Sequence, residues 1–338
     1  MERAQAGARL DVAIIGAGPC GLAAAVAMKR AGLRAAVIDR SCVVSGIASY
    51  PTFITFFSTP DRLSIGGVPF IVATEKPTRR DALAYYRAVV SIFDLEVRQY
   101  ETVERVTKCD GEFVVESRTR FGELRETRAG AVVVATGYFG HPNRLDVPGE
   151  DLPHVTHLFT EGHWAFRQDV VVVGGGNSAV EAALDLYRSG ARVTIVHFLP
   201  ALDPNIKPWV LPDVTNRIKE GSIGARFSSR VRAITPEHVV LDTPGGEERV
   251  RAQQVYLMLG YQPNAELLVQ LGVPIDARTG IPAHDPATME TAVPGVFIAG
   301  VIASGNDANK TFIENGRFHG DLIAQRLTAE AARAASGA

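Results

Sequence analysis

Cys20 stands inside the run Gly16-Ala17-Gly18-Pro19-Cys20-Gly21, and a thiol set among closely spaced glycines is the first place where chemistry is expected. Glycines at this spacing let the chain turn tightly. They also bring backbone N–H groups up to a pyrophosphate, which rests at the positive end of the following helix. A cysteine in the first turn of that helix gains from unpaired N–H groups and the macrodipole, both of which lower a thiol pKa. The resulting thiolate is the species that attacks a disulfide. The same position equally suits a small side chain that only packs against the pyrophosphate. A second run, Gly174-Gly175-Gly176-Asn177-Ser178-Ala179, repeats the pattern with Ala in place of the last glycine.

Such runs work only when a strand delivers them and a helix leaves them. Val12–Ile15 and Val170–Val173 are β-branched or apolar stretches ahead of each run, and Ala/Leu-rich segments follow both. That is the strand–turn–helix context of a dinucleotide fingerprint, present twice. A chain of 338 residues has room for about two domains. Three further apolar strands end in glycine: Ala131–Val134 running into Ala135-Thr136-Gly137, Val255–Leu257 running on to Gly260, and Val296–Ile298 running into Gly300. Their order predicts an α/β protein with two Rossmann-like dinucleotide-binding domains, the second inserted into the first. Residues 1–155 and 280–338 are expected to form the discontinuous flavin domain, and residues 156–279 the nicotinamide domain.

An acidic residue about 20 positions after the first glycine tells the ligands apart. Asp39 holds that place in the first unit, where its carboxylate can accept both hydroxyls of an adenosine ribose, as FAD requires. His197 holds it in the second. The missing carboxylate favours NADPH, whose 2′-phosphate an acid would repel. Phe198 follows, so Lys207 and Arg217 are the nearest cations in sequence for that phosphate.

Composition narrows the field. Net charge is −2 with no long single-sign run, so neither a nucleic-acid nor a membrane footprint is present. The apolar runs are too short to span a bilayer. Three cysteines (Cys20, Cys42, Cys109), without any C-x-x-C, suit a reducing cytoplasm. His141, His154, His157 and His163 crowd one stretch, but lack acidic partners at fixed spacing, so no metal is expected.

The chain resembles the two-dinucleotide-binding flavoproteins built like low-molecular-weight thioredoxin reductase, and within them the YpdA-type bacillithiol disulfide reductases. The first glycine run, Tyr50–Ser58, Ile65–Phe70, Lys76–Arg79, Tyr85–Arg87, Lys207–Pro212, Ala299–Asn309 and Phe312–Arg317 carry this resemblance along nearly the whole length. It implies an FAD-containing, NADPH-dependent enzyme that reduces a low-molecular-weight disulfide, with Cys20 as the active-site thiol. It also implies a homo-oligomer, dimer or tetramer. The expected cofactor contacts are Gly16, Gly18, Pro19, Cys20, Gly21, Asp39, Arg40, Tyr50, Phe56, Val103, Ala135, Thr136, Gly137, Gly174, Gly176, Asn177, Ser178, His197, Lys207, Gly260, Gly300, Val301, Lys310 and Thr311. Tyr50, Phe53, Phe56 and Phe57 are expected to wall the flavin ring. Bacillithiol carries a malate, so Arg62, Lys76, Lys310 and Arg317 are candidates to meet an anionic disulfide.

Three departures qualify the match. Asn177–Leu186 lacks the C-x-x-C that thioredoxin reductases carry there, so reduction of thioredoxin through an internal dithiol is not expected. Val301 follows Gly300 where the wider superfamily has an Asp holding the ribityl chain, and Phe198 stands where the YpdA group more often has Arg. Two other readings stay open: an NADPH–ferredoxin or flavodoxin reductase that needs no thiol, and an FAD- and NADPH-holding redox sensor without turnover.

Overall fold

In the computed structural model the structure describes residues 9–307 and 310–336. Ala308 and Asn309 of the C-terminal motif lie outside the described residues. In chain order the elements begin with β1 (Leu10–Ile15), α1 (Pro19–Arg30), β2 (Ala35–Asp39), α2 (Ser45–Ala48), α3 (Pro60–Leu63) and α4 (Arg79–Ile92). Next come β3 (Glu96–Gln99), β4 (Glu101–Cys109), β5 (Glu112–Thr119), β6 (Leu124–Val134), β7 (Val155–Thr156), β8 (Asp169–Val173), α5 (Asn177–Arg188) and β9 (Arg192–Val196). Then follow α6 (Leu211–Lys219), β10 (Gly224–Arg226), β11 (Arg230–Ile234), β12 (His238–Thr243), β13 (Gly246–Arg251) and β14 (Gln254–Leu257). The chain closes with α7 (Glu266–Gln270), β15 (Val296–Ile298), α8 (Ile313–Gly316) and α9 (His319–Ser336).

Two compact units result. The first gathers the residues up to Ala48, Ile54–His141 and those from Gln262; the second gathers Ser49–Phe53 and Pro142–Tyr261. The first unit is built on a 7-stranded sheet of order β3-β2-β1-β6-β5-β4, with β15 also paired to β6. β1 lies parallel between β2 and β6, with Ile14 opposite Val37 on one side and Val133 on the other. The chain therefore leaves β1 in one direction and returns on the other, which makes the carboxyl end of β1 a topological switch point. α1 starts with Pro19, whose missing N–H costs nothing in a first turn, and Gly21–Met28 are all buried. A Thr78–Asp81 capping box starts α4.

The second unit repeats the plan in a 5-stranded sheet, β10-β9-β8-β14-β7, and adds a 3-stranded antiparallel sheet, β11-β12-β13. Val170 and Val172 join a core cluster with the α5 residues Val180, Ala183 and Leu186. Val171 and Val173 join a different one with Val231, Val239 and Leu241. Alternation along one β-branched strand thus buries both faces, as a parallel sheet requires.

Apart from the short excursion Ser49–Phe53, the chain crosses between units at His141/Pro142 and Tyr261/Gln262, whereas the sequence suggested 155/156 and 279/280. The apolar residues Leu145, Val147, Leu152 and Val155 pack on the second unit's core, which draws the first crossing earlier.

Candidate functional site

Both glycine turns are shaped by the same steric demand. Gly16 has φ +112° and Gly174 has φ +135°, conformations a residue with Cβ rarely adopts. A Cβ on Gly16 would stand 2.4 Å from the Ala135 carbonyl oxygen, and one on Gly174 would stand 2.4 Å from that of Met258. Each turn is therefore pressed against the exit of the neighbouring strand. Gly21 is needed for a similar reason, since its Cβ would lie 2.0 Å from the Gly16 oxygen.

Gly18 is different. A Cβ there would meet nothing within 4 Å, and its backbone (φ −71°, ψ 172°) is open to any residue. Packing does not explain this glycine, and the open space at the N-terminus of α1 leaves room for a ligand to approach closely. Asp39 completes the cradle. Its Oδ2 accepts the Ala17 N–H at 2.6 Å and its Oδ1 accepts the Ser41 N–H at 2.7 Å. Each carboxylate oxygen retains a further lone pair for a ribose hydroxyl. The first cradle thus fits a dinucleotide. Ala135, Thr136 and Gly137 follow β6 at the same end of the sheet, and the Arg40 guanidinium lies against Gly140. Val103 is half-buried at the register shift of β4 against β5.

In the second cradle Gly176 caps α5, and Ser178 is exposed in the first turn. Asn177 holds the following loop in place. Its Oδ1 accepts the Lys207 N–H at 2.8 Å and its Nδ2 donates to the Asn205 carbonyl at 3.0 Å. His197 lies against Gly175, where a Cβ would stand 2.4 Å from its Nε2. Gly260, at φ +82°, turns the chain after β14, and its carbonyl accepts the Asn143 N–H at 3.0 Å. The two cations nearest in sequence are both bound to carboxylates. Lys207 Nζ is 2.7 Å from Glu181, and Arg217 pairs with Asp213 and Glu220.

Cys20 overturns the expectation of an acidified thiol. Cys20 is half-buried, and its Sγ packs close to two glycines: a Cβ on Gly316 would stand 2.9 Å from it and one on Gly300 3.1 Å. Burial pushes the thiol up to about 12. Desolvation of the thiolate outweighs what the helix N-terminus returns.

Gly300 is itself anchored in a way the sequence did not announce. Its N–H donates to His319 Nδ1 at 3.2 Å, at the start of α9. Burial, with a smaller contribution from His284, pushes the His319 imidazole down to about 4. A histidine depressed on folding contributes stability that is complete above the unfolded value and lost as pH falls through the window from about 6.5 to about 4. His319→Asn is expected to flatten that part of the melting-temperature profile, a difference on the order of 2 kcal/mol. An unchanged acid limb in the variant would remove this role.

The other expected contacts divide. Val301 opens a 3-10 turn over Val301–Ser304, Ser304 and Thr311 share a short hydroxyl contact, and Lys310 lies 3.5 Å from Asp307. Of the four aromatics, Phe56 and Phe57 belong to the first unit, while Tyr50 and Phe53 belong to the second, where Phe53 packs edge-on to Phe159. Arg62 pairs with Glu314 at 3.0 Å, and Arg317 donates to the carbonyls of Asp61 and Ser64. Lys76 lies 5.1 Å over the Phe57 ring. Among the described residues no group of three or more His, Cys, Asp or Glu side chains is arranged to hold a metal, and no helix is long and apolar enough to cross a membrane.

Comparison with known proteins matches this geometry. Residues 13–300 match the family described as pyridine nucleotide-disulphide oxidoreductase. The bacilliredoxin reductase Bdr of Bacillus subtilis is 48% identical over 318 residues, covering 93% of this chain and 96% of the relative. The solved bacillithiol disulfide reductase Bdr (YpdA) from Bacillus cereus superposes with a TM-score of 0.93 at 45% identity, covering 95% of this chain and 99% of that one. Lactococcus lactis thioredoxin reductase, at 22% identity and a TM-score of 0.76 over 96% of this chain and 100% of its own, shares the fold.

Proposed function

The chain belongs to the pyridine nucleotide-disulphide oxidoreductase family and, within it, to the Bdr (YpdA) group, and from that premise we propose that it reduces bacillithiol disulfide with electrons from NADPH by way of FAD. The observation that carries this reading is the pair of glycine cradles, each following a strand held between two parallel neighbours in its own sheet. The cofactors would supply transfer of a hydride equivalent from nicotinamide to flavin and of an electron pair onward to a disulfide.

The chain's own residues bind and orient. The N-terminus of α1 and Asp39 would hold the FAD pyrophosphate and adenosine ribose, and the N-terminus of α5 the NADPH pyrophosphate. Cys20 is the proposed thiol. Its sulfur attacks one sulfur of the substrate, the S–S bond breaks, and the thiol proton passes to the departing bacillithiol thiolate. Two electrons and a proton then cleave the mixed disulfide, releasing the second bacillithiol and restoring Cys20. Three free cysteines fit a reducing cytoplasm.

The test is a panel of bacillithiol disulfide, glutathione disulfide and ferredoxin offered to the purified yellow protein. The expected result is steady NADPH oxidation with bacillithiol disulfide, with NADH slower by about tenfold, the scale of one lost charge-assisted contact. Turnover with ferredoxin alone would replace this reading by electron transfer. An absence of turnover with every acceptor would replace it by a sensor.

A further inference from the structure

The 2′-phosphate of NADPH needs a cation, and the second cradle offers one that does not come from the stretch after β9. In a dinucleotide fold the residue about 20 positions after the first glycine meets the ribose, and a nearby Arg accommodates the 2′-phosphate. Here His197 and Phe198 fill those places. His197 is only 4% exposed, and neither ring nitrogen has a hydrogen-bond partner among the described residues. Its Nε2 lies 3.3 Å from Asp203 Oδ1. The other Asp203 oxygen lies beside Gly176, where a Cβ would stand 3.0 Å away. That carboxylate therefore sits toward the glycine turn. Lys207 and Arg217, as described, are committed to acids.

Arg230 is placed otherwise. The Ser228 N–H donates to the Leu199 carbonyl at 2.8 Å and the Ser229 N–H to the His197 carbonyl at 3.0 Å, which lays the start of β11 along the carboxyl end of β9. The Arg230 guanidinium stacks 5.1 Å over the Phe198 ring and is exposed. Among the described residues of the second unit, Arg167 and Arg230 are the arginines that join no ion pair with a carboxylate. Arg167 precedes β8, at the amino end of the sheet, whereas ligands of parallel sheets bind at the carboxyl ends. Stacking on an aromatic face leaves the N–H edges of a guanidinium free for a phosphate and restrains its motion before binding.

We infer that Arg230, carried on β11 and steadied by Phe198, receives the 2′-phosphate and sets the preference for NADPH over NADH. This rests on the NADPH use proposed above and names the residue behind it. The residue ordinarily expected directly after β9 is replaced by a pair, an aromatic platform from one strand and a cation from another.

Titration calorimetry on the flavin-loaded protein tests it, with adenosine 2′,5′-bisphosphate and 5′-AMP as probes. The wild type is expected to bind the bisphosphate about 10- to 100-fold more tightly, the scale of a charge-assisted fork contact. Arg230→Gln should erase that margin while leaving 5′-AMP binding, flavin content and melting temperature unchanged. Arg230→Lys should keep part of it, because a point charge replaces the fork. A margin that survives Arg230→Gln overturns the assignment and leaves the NADPH reading intact. A wild type without any margin, reducing its flavin equally fast with NADH, overturns both.

Discussion

Gly18→Val is expected to give a folded but colourless protein. The backbone at Gly18 is extended and the space around its missing Cβ is open, so the chain can accept a β-branched residue without moving. A pyrophosphate cannot accept it. Two methyl groups at the N-cap of α1 would stand where phosphate oxygens approach the N–H groups, and FAD affinity should fall at least about 100-fold, close to 2.7 kcal/mol. Gly16→Val has a different expected outcome. Its side chain would collide with the Ala135 carbonyl at 2.4 Å in a backbone region closed to valine, so the fold itself should suffer. Flavin absorbance and circular dichroism separate the two cases. A Gly18→Val protein that retains stoichiometric flavin would mean that the pyrophosphate does not rest on this turn.

Cys20 should alkylate far more slowly than Cys109 in the native protein. Cys109 is exposed at the hairpin between β4 and β5, whereas Cys20 is held near a pKa of about 12 by burial. Against an ordinary thiol near 8.5, its thiolate fraction at neutral pH is lower on the order of a thousandfold, and the thiolate is the reactive form. Peptide mass spectrometry of an iodoacetamide time course measures the ratio, and denaturant should abolish it. Cys20→Ser should keep flavin and lose disulfide reduction about 100-fold if the thiol forms the mixed disulfide. Native alkylation of Cys20 at the rate of Cys109 would contradict the enclosure; full activity in the serine variant would leave Cys20 a packing residue.

These two residues also show what a sequence can and cannot carry. The glycine turns were legible because their causes are local: a β-branched strand, a left-handed glycine and a helix starting with proline all lie within a dozen residues. Asp39 was legible for the same reason. The thiol's environment was not. The atoms that enclose Cys20 belong to Gly300 and Gly316, hundreds of positions away, and only the fold brings them to α1. His319 and Arg230 went unnoticed because nothing beside them in the chain names their partners. The unit crossings were displaced because loop residues such as Leu152 side with whichever core they pack on. Ser49–Phe53 sides with a unit whose main body begins almost ninety residues later.

The His141 carbonyl accepts the Gln262 N–H at 2.8 Å, and the Gly260 carbonyl accepts the Asn143 N–H at 3.0 Å. The two ends of the 120-residue segment Pro142–Tyr261 are thus held side by side. A guest whose two ends already touch asks the host to close only a short gap, and the entropy of that closure hardly depends on what the guest contains. Ser49–Phe53 is the exception, a stretch of the host's own chain that would lose its partners Phe159 and Thr160 if that segment were exchanged.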